Sequence, residues 1–332
     1  GAAWGVPAAL PGMGAPAVIA LAAVLGSGLL ICSARPLPFV LAVVAASTMA
    51  PSLATSDAAF YLGPVLHAER SFFGIYRVRT GPEDRLTLLL HGTTLHGAEF
   101  ADPARRREPL TYFHRAGPFG DVFGTAAPRR SQVAVIGLGA GALACYARPG
   151  EDWTFFEIDP AVERIARDTR FFHFLADCAP PAPVVIGDGR VSLRGVADGS
   201  LDLLVVDAFS SDSIPVHLLT REAVALYVRK LAPGGMLAIH ITNRFFDLKR
   251  VLLPIAAAEG LAVRGRDFVP EIGVEASRDG IGPAFVLALA RDDAALRYLD
   301  TQPGWATPEP VANGALWTDR FSNILAPLRS LR

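Results

Sequence analysis

A surplus of either charge is missing from this sequence: its 332 residues carry a formal net charge of -1. A surface built for a polyanion needs clustered Lys and Arg, so nucleic acid is not an expected partner. Arg105-Arg106-Arg107 is the only basic run, and Asp102 and Glu108 beside it mark a solvated loop. Cysteine is scarce too. Cys32, Cys145 and Cys178 share no Cys-x-x-Cys or other ligand spacing, so neither zinc nor disulfides are expected, and Cys145 reads as a small apolar filler. His91 and His96 are the only close histidine pair. No acid accompanies them at metal spacing, so no metal is expected. There is no internal repeat and no low-complexity tract.

Charge is absent altogether from residues 1–34, and only Arg35 interrupts the neutrality before Asp57. The mean hydropathy, +0.34, is high because apolar residues crowd into this region. Pro16 to Ala34 and Pro38 to Ala54 each approach the ~20 residues that span a ~30 Å hydrocarbon core. They predict a transmembrane helical hairpin within residues 1–57, turning at Arg35-Pro36-Leu37-Pro38. Because the chain starts at Gly1 and not Met, this hairpin is read as a segment that further membrane helices could precede. A signal peptide fits less well, lacking a basic leader and a single short apolar core. The resulting expectation is a multi-pass protein of the inner (cytoplasmic) membrane, in contact with lipid, with its catalytic domain in the cytoplasm.

What is present begins with Val133-Ala134-Val135-Ile136-Gly137-Leu138-Gly139-Ala140-Gly141. A short apolar strand runs into a glycine-rich turn and then a helix. Gly137, Gly139 and Gly141 let the backbone approach a ligand closely, while the helix start offers unpaired N–H groups. Glu157 of Phe155-Phe156-Glu157-Ile158-Asp159 stands at the end of the next strand, 20 positions on from Gly137. There its carboxylate can accept from two ribose hydroxyls. The pattern predicts a nucleoside-cofactor pocket. The third glycine of a dinucleotide fingerprint is missing, its place taken by Ala142. Instead a third strand ends in Gly187-Asp188-Gly189, where Asp188 can accept from an adenine amine and Gly189 leaves room for the ring. The alternative for Asp188 is a helix cap. Two acids at successive strand ends suit S-adenosylmethionine or a relative better than a dinucleotide. A fourth strand, Leu201 to Val206, delivers Asp207 to the same edge, placed to hold an amine and take its proton. Asp212 either holds the far end of that amine or caps the next helix.

The strand–helix alternation predicts an α/β fold with a parallel sheet. Strands are expected at Gln132–Ile136, Trp153–Glu157, Val184–Ile186, Leu201–Val206, Met236–Ile241, Ala262–Arg266 and Ala284–Leu289. Helices are expected near Ala140–Ala147, Pro160–Asp168, Arg221–Leu231 and Leu248–Glu259. Ahead of them, Phe72–Thr80 and Arg85–His91 read as a hairpin around Gly81-Pro82-Glu83-Asp84. Pro109 to Asp121 is expected to hold a short helix bearing Tyr112 and His114, broken by Gly117-Pro118.

Taken together, the glycine turn, Glu157-Ile158-Asp159, Gly187-Asp188-Gly189 and Asp207 with its Ser-Ser-Asp segment resemble the spermidine synthase (polyamine aminopropyltransferase) family. More closely, the chain resembles the membrane-fused branch of that family in bacteria. Arg70-Ser71-Phe72-Phe73-Gly74, His91 to Gly97, Tyr112-Phe113-His114 and Trp317-Thr318-Asp319 support the likeness. It implies a small β-region (58–126) before a methyltransferase-like Rossmann domain (127–332). It further implies Gly137, Gly139, Gly141, Glu157, Ile158, Asp188 and Gly189 on the nucleoside, and Asp207 as base. Tyr112, His114, His96 and Asp212 would then bind the acceptor. The implied activity is transfer of an alkyl group other than methyl from S-adenosylmethionine or decarboxylated S-adenosylmethionine to an amine or amino-acid-type substrate, releasing methylthioadenosine. A homodimer is kept as an open alternative. Departures from the family bear on the substrate. Ala140 replaces its acid in the glycine turn, Leu95 and His96 stand near its glutamine, and Arg115 follows His114 where the family has an acid. Without those carboxylates a dicationic polyamine is a poor acceptor, and Arg115 is free to meet a carboxylate. Methyl transfer, cyclisation or elimination on S-adenosylmethionine, and a non-catalytic nucleoside or polyamine sensor are the alternatives.

Overall fold

A computed structural model describes residues 63–92, 94–179, 181–207, 215–243, 245–270, 280–311, 314 and 316–328. The first sheet is antiparallel, with strands in the order β1 (Val65–Arg70), β2 (Ile75–Thr80), β3 (Leu86–His91) and β4 (Thr94–Phe100). The β2–β3 hairpin is the expected one. β1 and β4 were not expected, because Leu95-His96-Gly97-Ala98-Glu99 lacks a clean apolar–polar alternation. β4 is buried along its second half, where it runs under the rest of the molecule instead of along solvent.

The second sheet holds β5 (Gln132–Ile136), β6 (Asp152–Glu157), β7 (Val184–Ile186), β8 (Leu201–Val206), β9 (Leu231–His240), β10 (Ala262–Phe268) and β11 (Ala284–Ala290). Their order is β10-β11-β9-β8-β5-β6-β7. β5 to β9 run parallel, and β11 and β10 close one edge antiparallel. Side chains alternate between two buried clusters. Val133, Val135, Phe155, Leu203 and Val205 face one side, and Ala134, Ile136, Phe156, Leu204 and Val206 face the other. A strand buried on both faces reads as a continuous apolar run, which is why these strands were legible in the sequence. The chain leaves β5 toward β6 on one side and returns to β8 on the other, so a crevice opens at the carboxyl ends of β5 and β8.

Three helical expectations change. The segment after the glycine turn is a single 3₁₀ stretch, Ala142–Tyr146, ended by the approach to Pro149-Gly150. The segment carrying Tyr112 and His114 is a turn, and Thr111 sits at φ +58°. The helix there spans Pro118–Val122, and Pro118 opens it instead of breaking what precedes it, because an N–H at the first helical position would have no partner within the helix and proline lacks one. Cys145 and Cys178 form a disulfide, contrary to the expectation of none, joining that 3₁₀ stretch to the helix Phe174–Cys178. The residues lie 33 apart in sequence, and only the folding of one segment onto the other brings their Cα atoms to 4.8 Å.

The membrane expectation is corrected. Among the described residues no helix is long and apolar enough to cross a membrane. The longest α-helices among the described residues, Arg221–Lys230 and Lys249–Ala258, have 10 residues, about half of what a bilayer core requires. Among the described residues the fold is a methyltransferase-like Rossmann arrangement with a small antiparallel sheet and no transmembrane hairpin, and the multi-pass inner-membrane placement is withdrawn. The stretches that suggested the hairpin, 16–34 and 38–54, lie outside the described residues.

Candidate functional site

One cavity of about 270 Å³ lies at the crevice between β5 and β8. Its lining includes Gly137 and Gly139 from the glycine turn, Glu157 and Ile158 from the end of β6, Asp188 and Gly189 after β7, and Asp207 after β8. From the N-terminal side come His96 of β4 and Tyr112. Nine of the residues singled out in the sequence thus share one cavity. Gly141 and His114 do not line it. Gly141, at φ +88°, caps the 3₁₀ stretch, and the His114 Nδ1 accepts from the Ala116 N–H at 3.1 Å. Asp212 lies outside the described residues.

The glycine turn takes its shape from the absence of side chains. Gly137 and Gly139 have φ of +101° and +54°, a region other residues rarely adopt. A Cβ on Gly139 would stand 2.5 Å from the carbonyl oxygen of His96, and one on Gly97 would stand 2.5 Å from the Cβ of Ala140. β4 therefore lies directly against the turn. Ala140 is buried beneath it, so the position where the family has an acid is a packing contact in this chain.

Glu157 is 8% exposed. Its carboxylate accepts from the Leu138 N–H at 3.0 Å and the Asp159 N–H at 2.9 Å, bracing the glycine turn. Burial raises its pKa, with those backbone donors opposing the shift. Asp159 caps the helix Pro160–Arg167 by accepting from Ala161 N–H at 2.8 Å, and it also accepts from the Ser71 hydroxyl. Asp188 does the capping work foreseen for it, accepting from Val191 N–H at 3.0 Å, while its second oxygen stands 3.2 Å from His217 Nε2. A Cβ on Gly189 would meet Ile136 Cγ2 at 2.5 Å, so this glycine also serves close packing of backbone on β5.

Asp207 has the most elaborate surroundings. Its N–H donates to the Ile136 carbonyl at 2.8 Å, tying the end of β8 to β5. Its Oδ1 lies 2.5 Å from His240 Nδ1. A carboxylate only accepts, so Nδ1 carries the proton. His240 Nε2 is 2.6 Å from Thr242 Oγ1, which accepts from the Phe285 N–H at 2.8 Å. The His240 ring is 4% exposed and stacks on Tyr112 at 4.7 Å. His240 was missed in the sequence. It ends β9 inside Leu237-Ala238-Ile239-His240-Ile241, where it reads as one polar residue in an apolar run, and the signal that could have found it was that polarity at a strand end.

On the small-sheet side, Tyr112 is half-buried and its hydroxyl donates to the Leu95 carbonyl at 3.3 Å. Burial, and secondarily Asp207, raises its pKa well above the ordinary phenol value. Burial and the neighbouring His91 push His96 down to about 4. Arg115 does not reach the cavity. It is exposed, lies over the Tyr146 ring at 4.9 Å and donates to the Cys145 carbonyl at 3.1 Å. Trp317 is fully buried, and Asp319 pairs with Arg190 at 2.7 Å, so that segment packs and does not cover the site. Among the described residues no group of three His, Cys, Asp or Glu could hold a metal ion.

A curated polyamine aminopropyltransferase from Vibrio vulnificus is 29% identical over 163 residues, covering 47% of this chain and 52% of its own length. Over that stretch the chain is similar in sequence to the polyamine aminopropyltransferases. It spans about half the length of that relative. Among solved structures, spermidine synthase from Thermotoga maritima matches 70% of the chain and 75% of its own at a TM-score of 0.51 and 14% identity. A probable spermidine synthase from Corynebacterium glutamicum matches 73% and 90% at a TM-score of 0.51 and 16% identity. At these identities the likeness is one of fold. No protein-family model matches the sequence.

Proposed function

We propose that this chain is an aminopropyltransferase-type enzyme. In this reading it binds S-adenosylmethionine or its decarboxylated form and transfers a group other than methyl to a nitrogen nucleophile, releasing methylthioadenosine. The observation that carries the reading is the convergence of Glu157, Asp188 and Asp207, from three strand ends, on one cavity with the glycine turn. The similarity to a curated aminopropyltransferase supports it.

Glu157 accepts from the ribose hydroxyls, its carboxylate keeping acceptor capacity beside the backbone N–H groups that brace it. Asp188 accepts from the adenine amine beside Gly189, and Ile158 packs at the nucleoside. Asp207 is the base. Held by His240 through Nδ1–H, it keeps Oδ2 for the nucleophile, so His240 acts as a positioning residue. Holding the amine in line with the leaving sulfur supplies much of the acceleration. Tyr112 forms a wall of the acceptor side.

The test has two stages. Calorimetry with methylthioadenosine on the folded chain should show binding, and its absence ends the proposal. Chromatography after incubation with each donor and an amine should then show methylthioadenosine, whereas S-adenosylhomocysteine would indicate methyl transfer.

A further inference from the structure

Two segments meet in the part of the cavity beside Asp188. Asp188 and Gly189 enter from the start of the helix Gly189–Ser192, while Pro215, His217 and Leu218 enter around the 3₁₀ turn Val216–Leu218. The segments are joined twice. Arg190 Nη1 donates to the His217 carbonyl at 2.8 Å, and His217 Nε2 stands 3.2 Å from Asp188 Oδ2. His217 is therefore gripped by its backbone at one end and meets the carboxylate with its ring at the other. Arg190 is itself fixed, because both of its terminal nitrogens donate to the Asp319 carboxylate at 2.7 Å. The C-terminal segment thus helps to set the place of His217 from outside the cavity.

The ring contact bears on what Asp188 can bind. Asp188 Oδ1 accepts from the Val191 N–H at 3.0 Å, which ties that oxygen to the helix. A carboxylate only accepts, so His217 carries its proton on Nε2 and donates it to Oδ2. With one oxygen held by the helix and the other by the imidazole, the plane of the carboxylate is set. Oδ2 still has capacity for a second donor. The side chains of Asp188 and His217 are 33% and 50% exposed and both residues line the cavity, so a ligand there can reach them. A pair this open contributes little to stability. Its effect falls on binding, because a donor that meets a carboxylate already in place loses less freedom in doing so.

We propose that His217 is a positioning residue of the nucleoside site: its Nε2–H fixes the Asp188 carboxylate for the 6-amino group of the purine, which makes His217 a determinant of the preference for 6-aminopurine nucleosides. The inference rests on the reading above that Asp188 accepts from the adenine amine. His217 acts through Asp188 and needs no contact with the base. A nucleoside without the 6-amino group gains nothing from the arrangement.

The experiment is calorimetry on the full chain with methylthioadenosine and with its 6-desamino analogue, which has hydrogen in place of the amine. The wild type should bind methylthioadenosine tighter by about ten-fold, the order of one hydrogen bond to a charged acceptor. His217→Ala should weaken methylthioadenosine by about three-fold, the scale of a half-exposed charged pair, and should hardly change the analogue. His217→Gln, whose Nε2–H can replace the imidazole donor, should restore most of the ratio between the two ligands. The Arg190 bond is made to the backbone carbonyl and survives in both variants, so the turn keeps its place. Equal weakening of both ligands in His217→Ala, or an unchanged ratio, overturns the inference and leaves the transferase reading standing. A wild type that binds methylthioadenosine no tighter than the analogue overturns it as well. Failure of the wild type to bind either ligand is a different result, which sinks the transferase reading itself.

Discussion

Asp207 and His240 make one unit, and each should fail in its own way. In the proposed reaction Asp207→Asn removes the base, so it should lower kcat by about 10²–10³-fold while methylthioadenosine still binds. His240→Ala removes the Nδ1–H donor that orients the carboxylate and should also lower kcat, with KM for the donor nearly unchanged. His240→Asn, whose Nδ2–H can take the place of Nδ1–H, should recover part of the rate, and steady-state kinetics would check the recovery. His96 predicts a pH effect on stability. Its pKa falls from the ordinary 6.5 to about 4 on folding, through burial first and His91 second. The folded state thus favours the neutral ring. The stabilisation is complete above pH 6.5 and is lost as pH drops through 4, by up to roughly 3 kcal/mol. Denaturant melts at pH 7 and pH 4 should show a smaller acid loss in His96→Phe than in the wild type. Glu157 and Asp207 could be picked out at this scale because an acid ending an apolar strand is rare without a use. His96 entered only through the family resemblance and His240 not at all, since a histidine's surroundings decide whether it is a filler, a wall or a partner.

At the scale of elements, the contact of β4 with the glycine turn governs the site. Gly139→Ala puts a Cβ at φ +54° and 2.5 Å from the His96 carbonyl. The backbone conformation alone costs about 1–2 kcal/mol, and the clash should move β4, so methylthioadenosine binding should be lost. Ala140→Asp restores the acid found in the family's turn but places it in a buried contact with Gly97. It should destabilise the chain by several kcal/mol, the order expected for an uncompensated buried charge, and should not create diamine binding. A shifted denaturant midpoint would confirm the first expectation, and calorimetry the second. The Rossmann strands were legible because buried parallel strands are continuous apolar runs bounded by Gly, Pro and Asp. β1 and β4 were not, because their burial depends on which face of the small sheet meets the glycine turn. The turn at Tyr112 was taken for a helix because Thr111 at positive φ leaves no composition signal.

For the whole molecule, several ties hold the small sheet and the Rossmann part together. Buried Glu99 of β4 accepts from the His173 backbone N–H at 2.7 Å and pairs with its Nδ1 at 2.7 Å. The Cys145–Cys178 disulfide anchors the 3₁₀ stretch below the glycine turn to the helix carrying Leu175, whose Cγ a Cβ on Gly141 would approach at 3.1 Å. Closing a loop of 33 residues contributes about 3–4 kcal/mol in the chain-entropy estimate. Cys178→Ser should lower the melting temperature by the equivalent amount, dithiothreitol should do the same to the wild type only, and calorimetric scans would read both. The succession of Rossmann strands along the chain, the glycine turn and the acids at the strand ends were determined by the amino-acid sequence by itself, because periodicity and chain punctuation are local properties. Only the tertiary structure decided that Cys145 meets Cys178, that His240 holds Asp207, that Arg115 points away, and that β4 fills the position of the family's acid. Each of these joins residues far apart along the chain, and no local pattern encodes the angle at which two packed elements meet.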